Sequence, residues 1–343
     1  MATDLAPARP AAVAALPDRF QNHRTMKRRD LLAAGAALPL LARAQAFSKK
    51  PIRIVVPFGP GGVADLTARA VATKMGANMG QAVIVENRPG AGGIAAAQAV
   101  IQSPADGHTL LLSSNGTAVS AGLFKSLPYD PLKDFTSIST LGYFDIAVLA
   151  GPKTRFHTIQ ELLAFAKANP GKLNVATIAL GSTQHLAAEL LKRMAGVDFT
   201  VVPFNGTPAV ATALQAGEVD AAVEIVPPVM GQISAKTLRP LAVMGARRSP
   251  TLPDVPTLAE SGVAGFDASS WNALSAPAKT PPDVIALLHR EVAKAVDAPD
   301  VQKQLLALGV AARSSSPQQE TELLAGEIRR WTDVILRSKV ARQ

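Results

Sequence analysis

The chain has 343 residues, 48% of them hydrophobic and 18% charged, which is enough for two domains that each bury an apolar core. It contains no cysteine, which excludes disulfide bonds, thiolate metal sites and a cysteine nucleophile. The net charge of +9 falls to +5 without residues 1–46, which hold seven basic and three acidic residues. The remaining charges form no basic stripe interleaved with aromatic side chains, so we expect no nucleic-acid partner.

The segment 27–46 has the three parts of a secretory signal peptide. These are a basic region at 27–29, an apolar run at 31–41 and small residues with cleavage sites at 42–46. The apolar run has about 11 residues, too few to cross a hydrocarbon core of about 30 Å as a helix. Its paired arginines also fit a twin-arginine signal loosely. We therefore expect residues 1–46 to be an N-terminal extension and signal peptide, and the mature protein to be exported to the periplasm, soluble and monomeric.

A glycine-rich turn follows the first strand-like run, residues 52–58. The turn reads Gly59-Pro60-Gly61-Gly62-Val63-Ala64, the G-x-G-x-x-A pattern that holds a dinucleotide pyrophosphate. A second strand-like run ends in Glu86, 27 residues after Gly59, where dinucleotide folds place the acid that binds the ribose. The first prediction from these residues alone is an anion site, with a dinucleotide as one candidate.

The same pattern recurs at residues 90–95, again between a strand-like and a helix-like run. Two such turns in one sheet place unpaired helix amides and helix dipoles toward a ligand, which favours a general anion site. Export argues against a nicotinamide cofactor, because that pool is largely intracellular. For residues 90–93 a simple tight turn is an equally good interpretation.

Strand-like and helix-like segments alternate along the rest of the chain. Further strands are predicted at 109–112, 146–150, 173–178, 200–203, 221–226 and 238–244. Helices are predicted from about residues 64, 93 and 183, and over 159–169, 208–217, 283–308 and 317–337. The piece before residue 146 is expected to be irregular. This order predicts an α/β fold with parallel or mixed sheets covered by helices, and Trp331 is expected in the core.

Common catalytic patterns are missing from the sequence. No Walker lysine follows the glycines, and there is no H-E-x-x-H or G-x-S-x-G segment. His185 stands at a predicted helix start and could face a cleft, although a single histidine is more often a structural hydrogen-bonding group. We expect no cofactor, no metal and no catalytic residue.

A series of short motifs resembles the substrate-binding receptors of tripartite tricarboxylate transporters, also called Bug-type receptors. Each motif is weak alone, but their order is specific and runs from about Lys50 to the C-terminal end. The motifs are Val56-Pro57-Phe58 with Pro60-Gly61-Gly62 and Asp65; Val85-Glu86-Asn87-Arg88-Pro89-Gly90-Ala91-Gly92-Gly93; Pro104 with Asp106-Gly107-His108-Thr109-Leu110-Leu111; Leu127-Pro128-Tyr129-Asp130-Pro131 with Asp134-Phe135; Gly181-Ser182 with His185-Leu186 and Glu189-Leu190; Asn205-Gly206 with Pro208-Ala209; Gly217-Glu218-Val219-Asp220; Leu241-Ala242-Val243; Pro253-Asp254-Val255-Pro256-Thr257; and Trp271 with Ala276-Pro277-Ala278.

This resemblance implies a periplasmic-binding-protein-like fold of type II, a Venus flytrap with two α/β domains and a ligand cleft between them. Domain 1 is then residues 47–147 plus 272–343, and domain 2 is residues 148–271. The chain crosses the hinge twice in this division, which suits closure by bending around a ligand.

The resemblance also implies that a ligand carboxylate is held by backbone amides and bridging waters near the Pro-Gly-Gly turn. Carried over to this sequence, the ligand-binding candidates are Phe58, Gly61, Gly62, Asp65, Ser113, Asn115, Thr117, Ser182, Thr183, His185, Asn205, Gly206 and Glu224. Asp65 has an alternative role, because an acid in the first turn of a helix stabilises the helix dipole. We expect a Cβ at Gly62 to crowd the carboxylate or to force the turn out of its required backbone angles.

Two positions and one short segment depart from the family pattern. Ala273 and Lys279 stand where glycine is common, and residues 222–225 replace a more usual phenylalanine and aspartate. These differences leave the fold prediction unchanged and leave the ligand open.

The implied function is a periplasmic receptor that captures a small carboxylated solute for the membrane permease subunits of a tripartite transporter. The solute is a dicarboxylate, tricarboxylate, acidic amino acid or aromatic acid. Two alternatives stay open at this point: a ligand-sensing receptor that feeds a membrane signalling protein, and a periplasmic enzyme on the same scaffold.

Overall fold

The structure is a computed structural model that describes residues 47–343. The predicted signal peptide and the rest of residues 1–46 lie outside the described residues. Within residues 47–343, no helix is long and apolar enough to cross a membrane.

Ten strands form a mixed sheet in the described part of the chain. They are β1 (Ile52–Val56), β2 (Val83–Asn87), β3 (Thr109–Ser114), β4 (Phe135–Ala150), β5 (Asn174–Ile178), β6 (Thr200–Phe204), β7 (Ala221–Ile225), β8 (Arg239–Val243), β9 (Ser269–Pro277) and β10 (Ala311–Ala312).

Helices alternate with these strands and cover the sheet. They are α1 (Val63–Met79), α2 (Ile94–Ile101), α3 (Asn115–Leu123), α4 (Ile159–Ala168), α5 (Thr183–Ala195), α6 (Thr207–Ala216), α7 (Met230–Ser234), α8 (Pro282–Val296), α9 (Pro299–Ala307) and α10 (Pro317–Arg337). Short 3₁₀ turns occur at Ala91–Gly93 and Pro227–Val229. The predicted α/β fold is confirmed.

The sheet contains two parallel groups joined by antiparallel strands. Its strand order is β2-β1-β3-β9-β4-β7-β5-β6, with β8 and β10 also paired to β4. β1 is parallel to β2 and β3, and β5 is parallel to β6 and β7, whereas β9 and β4 run antiparallel to their neighbours. Because parallel strands end at the same edge, the carboxyl ends of β1 and β3 lie together and lead into α1 and α3.

Strand β4 changes partners along its length. Its residues up to Asp145 pair with β9, and its residues from Ile146 pair with β7 and β8. β9 begins at Ser269, directly opposite Asp145, so the chain passes between the two parallel groups at these two places. The domain boundaries at 147/148 and 271/272 lie close to this change of partners and stay a prediction.

Local signals explain where several helices begin. The predicted capping box at Thr158 and Glu161 is present at the start of α4, with Thr158 Oγ1 accepting from the Glu161 amide at 3.2 Å. Ser316 and Gln319 form a second capping box before α10, and Pro317 occupies its first turn. The helix predicted over 283–308 is instead two helices, α8 and α9, because Pro299 cannot continue α8.

Apart from the two-residue strand β10, which was also not predicted, two strand segments differ from the sequence prediction. The piece expected to be irregular before residue 146 is the first part of β4, and β9 was not predicted at all. Both strands are buried along almost their whole length, so they lack the alternation of apolar and polar residues that reveals a half-exposed strand. Their serine and threonine hydroxyls are used inside the fold, as where Thr140 Oγ1 donates to the Arg313 carbonyl at 2.7 Å.

The largest core cluster contains both tryptophans. Trp331 has no exposed surface, which confirms its predicted place in the core, and Trp271 is 1% exposed. The indole Nε1 of Trp331 donates to Asn115 Oδ1 at 2.8 Å. This bond fixes α10 against the start of α3, where the candidate site lies.

Candidate ligand-binding site

A cavity of about 500 Å³ lies where the first turns of α1, α3 and α5 meet. Its apolar lining residues are Phe58, Val63, Ala64, Val119, Leu123, Phe124, Phe144, Ile178, Ala179, Leu180 and Ile225. Its polar and glycine lining residues are Gly62, Gly92, Ser114, Gly116, Ser120, Gly181, Ser182, Thr183, Gln184, Ser270, Asn272 and Gln343. No charged side chain within residues 47–343 lines it.

Three helix N-termini face this cavity. The N-cap residues of α1, α3 and α5 are Gly62, Ser114 and Ser182, and all three line the cavity wall. Free amides and the positive end of the helix dipole make such termini favourable for an anion. Because no basic side chain within residues 47–343 lines the wall, these backbone features are the groups in it that favour an anion.

The N-terminus of α1 differs from the other two. Ser114 Oγ accepts from the Gly116 amide at 3.1 Å, and Ser182 Oγ accepts from the His185 amide at 3.1 Å. No side chain caps α1 at Gly62. The first amides of α1 are therefore the ones that a ligand oxygen can reach without competing with a capping hydroxyl.

Asp65 stabilises the glycine turn before α1 by hydrogen bonds on the side away from the cavity. Its Oδ2 accepts from the Gly61 amide at 2.9 Å and from Arg69 Nε at 3.0 Å, and its Oδ1 accepts from Asn87 Nδ2 at 2.9 Å. Burial raises the pKa of Asp65, but these hydrogen bonds outweigh it and hold the pKa below its usual value. The carboxylate of Asp65 thus stabilises the turn and does not line the cavity.

Gly61 and Gly62 have different roles in this turn. Gly61 has φ +82, a conformation that favours glycine, and it is not part of the cavity wall. Gly62 has φ −80 and ψ 170, which any residue adopts, and a Cβ there meets only the Gly59 carbonyl, at 3.9 Å. The expectation that a Cβ at Gly62 strains the turn is therefore wrong, and only crowding of a ligand stays as its predicted effect.

Glu86, the acid expected to bind a ribose in a dinucleotide fold, is occupied by basic partners. Its carboxylate forms ion pairs with Arg53 and Arg88. Hydrogen bonding to Arg88 lowers the pKa of Glu86 and outweighs the effect of burial.

Some of the polar residues at the end of β3 lie in the core, and others line a cavity. Ser113 Oγ lies 3.1 Å from Ser275 Oγ and 3.3 Å from Glu320 Oε1, inside the protein. Thr117 completes the capping box of α3 by accepting from the Ser114 amide at 3.1 Å, and it lines a side cavity of about 130 Å³. Ser114 lines the main cavity instead of its predicted neighbour Ser113.

Asn115 links the starts of α3 and α5. It is fully buried, and its Nδ2 donates to Thr183 Oγ1 at 3.1 Å while its Oδ1 accepts from Trp331. Thr183 lines the cavity, so Asn115 acts behind the wall by positioning one of its hydroxyls.

His185 and Glu224 also lie behind the cavity wall. His185 Nδ1 accepts from the Gly181 amide at 3.0 Å, and burial lowers the pKa of the imidazole, so it is a neutral acceptor. Glu224 has no exposed surface; its Oε1 accepts from Gln184 Nε2 at 2.5 Å and from the Ile225 amide at 2.8 Å. Burial raises the pKa of Glu224. Both partners, Gln184 and Ile225, line the cavity.

The candidates thus differ in their relation to the cavity. Phe58, Gly62, Ser182 and Thr183 line the main cavity, whereas the buried residues Asp65, Ser113, Asn115 and Glu224 support it from within. Gly61 is exposed and does not line the main cavity. Thr117 lines the side cavity of about 130 Å³, and His185 lines a second side cavity of about 230 Å³. Asn205 and Gly206 line neither the main cavity nor these two side cavities.

Several cavity residues were missed by the sequence reasoning, among them Phe124, Phe144, Gln184, Ser270 and Asn272. Phe144 and Asn272 belong to the two strands that the pattern did not reveal. A signal was present for Gln184, because it stands in the first turn of a helix whose neighbours Ser182 and Thr183 were chosen.

The comparisons with known proteins agree with this architecture. The family model described as the tripartite tricarboxylate transporter family receptor matches residues 67–340. The chain therefore belongs to this receptor family, and the resemblance drawn from the motifs is confirmed.

Three solved structures are similar to this chain. The periplasmic binding protein BugD is 28% identical, covers 87% of this chain and 100% of its own, and has a TM-score of 0.74. The R. palustris protein Rpa4515 with adipate is 32% identical, covers 85% and 98%, and has a TM-score of 0.75. MatC from Rhodopseudomonas palustris with bound malate is 34% identical, covers 83% and 98%, and has a TM-score of 0.71. The fold is that of periplasmic binding proteins, which are receptors rather than enzymes, and it is consistent with a two-domain Venus flytrap.

Proposed function

We propose that this receptor captures a small carboxylated solute in the 500 Å³ cavity and presents it to the membrane permease subunits of a tripartite transporter. The observation that carries the proposal is the convergence of three helix N-termini on a wall without charged side chains. Backbone amides and dipoles are fixed in direction, so they bind an oxyanion with little reorganisation.

The uncapped terminus of α1 is the proposed carboxylate site. The amides that follow Gly62 are directed by the turn that Asp65 holds, so their geometry is set before a ligand arrives. Similar proteins with adipate and malate support small dicarboxylates as candidates. Tricarboxylates, acidic amino acids and aromatic acids present the same chemical group.

The two proposed domains close around the bound ligand. Domain 1 is residues 47–147 plus 272–343, and domain 2 is residues 148–271. The change of β4 partners after Asp145 supports a hinge there, and the second crossing precedes Ser269. Bending at two extended crossings would bring the α5 terminus toward a ligand that already contacts α1.

Ligand-induced thermal stabilisation tests this function. A carboxylate at 100 times its dissociation constant should stabilise the native protein by about 2.7 kcal/mol, seen as a higher unfolding temperature. The panel should include malate, adipate, citrate and glutamate, with the diamide of adipate and NAD as controls. Stabilisation by the diamide or NAD but by no carboxylate would contradict the proposal.

Export is proposed from the basic, apolar and small-residue order of residues 27–46. Cleavage is expected near Ala46, and N-terminal sequencing of the periplasmic protein measures it. A mature chain that still begins before Leu31 would show that this segment is not a cleaved signal.

A further inference from the structure

One side of the cavity is built from large apolar side chains. Phe124 follows α3, Phe144 lies on β4, Ile178 ends β5 and Ile225 ends β7. Leu180, in the loop before α5, completes this apolar wall. Three of the 11 phenylalanines in the chain line the cavity, including Phe58, although aromatic residues are only 4% of the sequence.

Two of these side chains are exposed to solvent. Phe58 is 41% exposed and Leu180 is 59% exposed, and they approach the cavity from the loops before α1 and α5. Exposed apolar side chains that face one concave space mark a surface that a ligand covers. A ligand that is polar along its whole length would leave this surface without a partner.

Asn272 supplies an independent sign of a ligand. It is 1% exposed, lines the cavity and stands on β9 opposite Ser114, the N-cap of α3. Among the described residues its Nδ2 has no hydrogen-bond partner. Buried donors are nearly always paired, so an unpaired one at a cavity wall points to a ligand acceptor.

The size of the cavity fits a ring. A cavity of about 150 Å³ holds benzene, whereas this one measures about 500 Å³. The space therefore accommodates an aromatic ring together with a carboxylate and its linker.

Resting on the proposed function, we infer that the ligand is a carboxylate carried on an aromatic body, and that Asn272 donates a hydrogen bond to one of its oxygens. The carboxylate lies against the helix N-termini, and the ring packs between the apolar wall and Phe58. Edge-to-face contacts with the phenylalanines favour a ring over an alkyl chain of similar area.

Titration calorimetry with phenylacetate, hexanoate and malate tests the ligand class. Phenylacetate should bind at least about tenfold more tightly than malate, because burying a ring removes more apolar area from water. Malate binding as tightly as phenylacetate overturns this inference and leaves the proposed function standing. Hexanoate binding more tightly than phenylacetate overturns the aromatic part. Binding of none of the three at millimolar concentration overturns this inference, and the thermal panel with citrate and glutamate then tests the proposed function separately.

Leu180→Ser tests the apolar wall, with Leu336→Ser as its matched control. Leu336 is 60% exposed, close to the 59% of Leu180, but it lies outside the cavity. Leu180→Ser should weaken phenylacetate binding about fivefold or more, whereas Leu336→Ser should leave it unchanged. Equal affinities in the two variants would overturn the placement of the ring.

Asn272→Leu and Asn272→Ala test the unpaired donor. Leucine matches asparagine in size and removes a donor that lacks a partner, so the unfolding temperature of the ligand-free protein should not fall. Phenylacetate affinity should drop at least about fivefold in both variants. A lower unfolding temperature with unchanged affinity would identify a structural residue and overturn the assignment.

Discussion

Replacing Gly62 by alanine separates ligand binding from folding at the proposed carboxylate site. The residue has φ −80 and ψ 170, and a Cβ there meets only the Gly59 carbonyl, at 3.9 Å. Alanine is a poorer N-cap than glycine, but it also reduces the entropy of the unfolded chain, and each effect is about 1 kcal/mol or less. The free energy of unfolding should therefore change little.

The effect on affinity should be much larger. The new methyl group is added at the N-cap of α1, a residue of the cavity wall, and should keep a carboxylate away from the first amides. Loss of one charge-assisted hydrogen bond costs about 1.5–3 kcal/mol, or about ten- to 150-fold in dissociation constant. Isothermal titration calorimetry with the carboxylate that stabilises the protein most measures this change, and a urea titration measures folding.

Gly59→Ala is the matched control in the same turn. A Cβ at Gly59 meets nothing within 4 Å, and the residue does not line the cavity. Both binding and stability should stay close to wild type. If Gly62→Ala folds and binds as tightly as Gly59→Ala, the α1 terminus does not hold the ligand and the reasoning from its uncapped amides is refuted.

Three further predictions concern stability and motion. Burial raises the pKa of Glu320 from 4.5 to about 8 in the folded protein. Between pH 4.5 and about pH 8 the folded protein holds a proton at Glu320 that the unfolded chain has released, so the free energy of unfolding should fall as the pH rises through this range. In Glu320→Gln the urea midpoint should decline less steeply with rising pH than in the wild type. An unchanged dependence on pH would contradict this prediction. Asn115→Ala leaves the buried indole of Trp331 without its 2.8 Å acceptor, and the free energy of unfolding should fall by roughly 1–3 kcal/mol; an unchanged urea midpoint argues against the bond. Small-angle scattering should show a smaller radius of gyration with saturating ligand, and an identical profile would argue against closure.

Much of the fold could be predicted from the sequence because most strands and helices carry their own local signals. Helix α4 has its capping box at Thr158 and Glu161, and α1 has apolar residues at a spacing of four. The order of strands and helices then restricts the fold to an α/β class. β4 and β9 carry no such signal, because they are buried and contain serine and threonine that bond inside the sheet.

Several of the chosen residues lie one position away in the sequence from a residue that lines the cavity. Ser114 lines it next to the chosen Ser113, Gln184 next to the chosen Thr183, and Ile225 next to the chosen Glu224. Successive side chains of a strand point to opposite faces of the sheet. A sequence motif can therefore locate the end of a strand, but which of its neighbouring residues faces the cavity depends on the register of the strand. The roles of these residues in binding stay predictions.

The apolar wall could not be predicted in the same way. Phe124, Phe144 and Ile225 come from separate elements that pack together only in the folded chain. In the sequence each is an ordinary apolar residue, and its exposure to a cavity depends on how the two parallel groups of strands meet along β4.

The most direct test of the central claim is mass spectrometry of the small molecule that co-purifies with the gently prepared protein. The three helix N-termini around a cavity whose described lining has no charged side chain predict a carboxylate, present at about one molecule per protein chain and lost from Gly62→Ala. A sugar, a cationic solute or a nucleotide bound at that ratio would contradict the account.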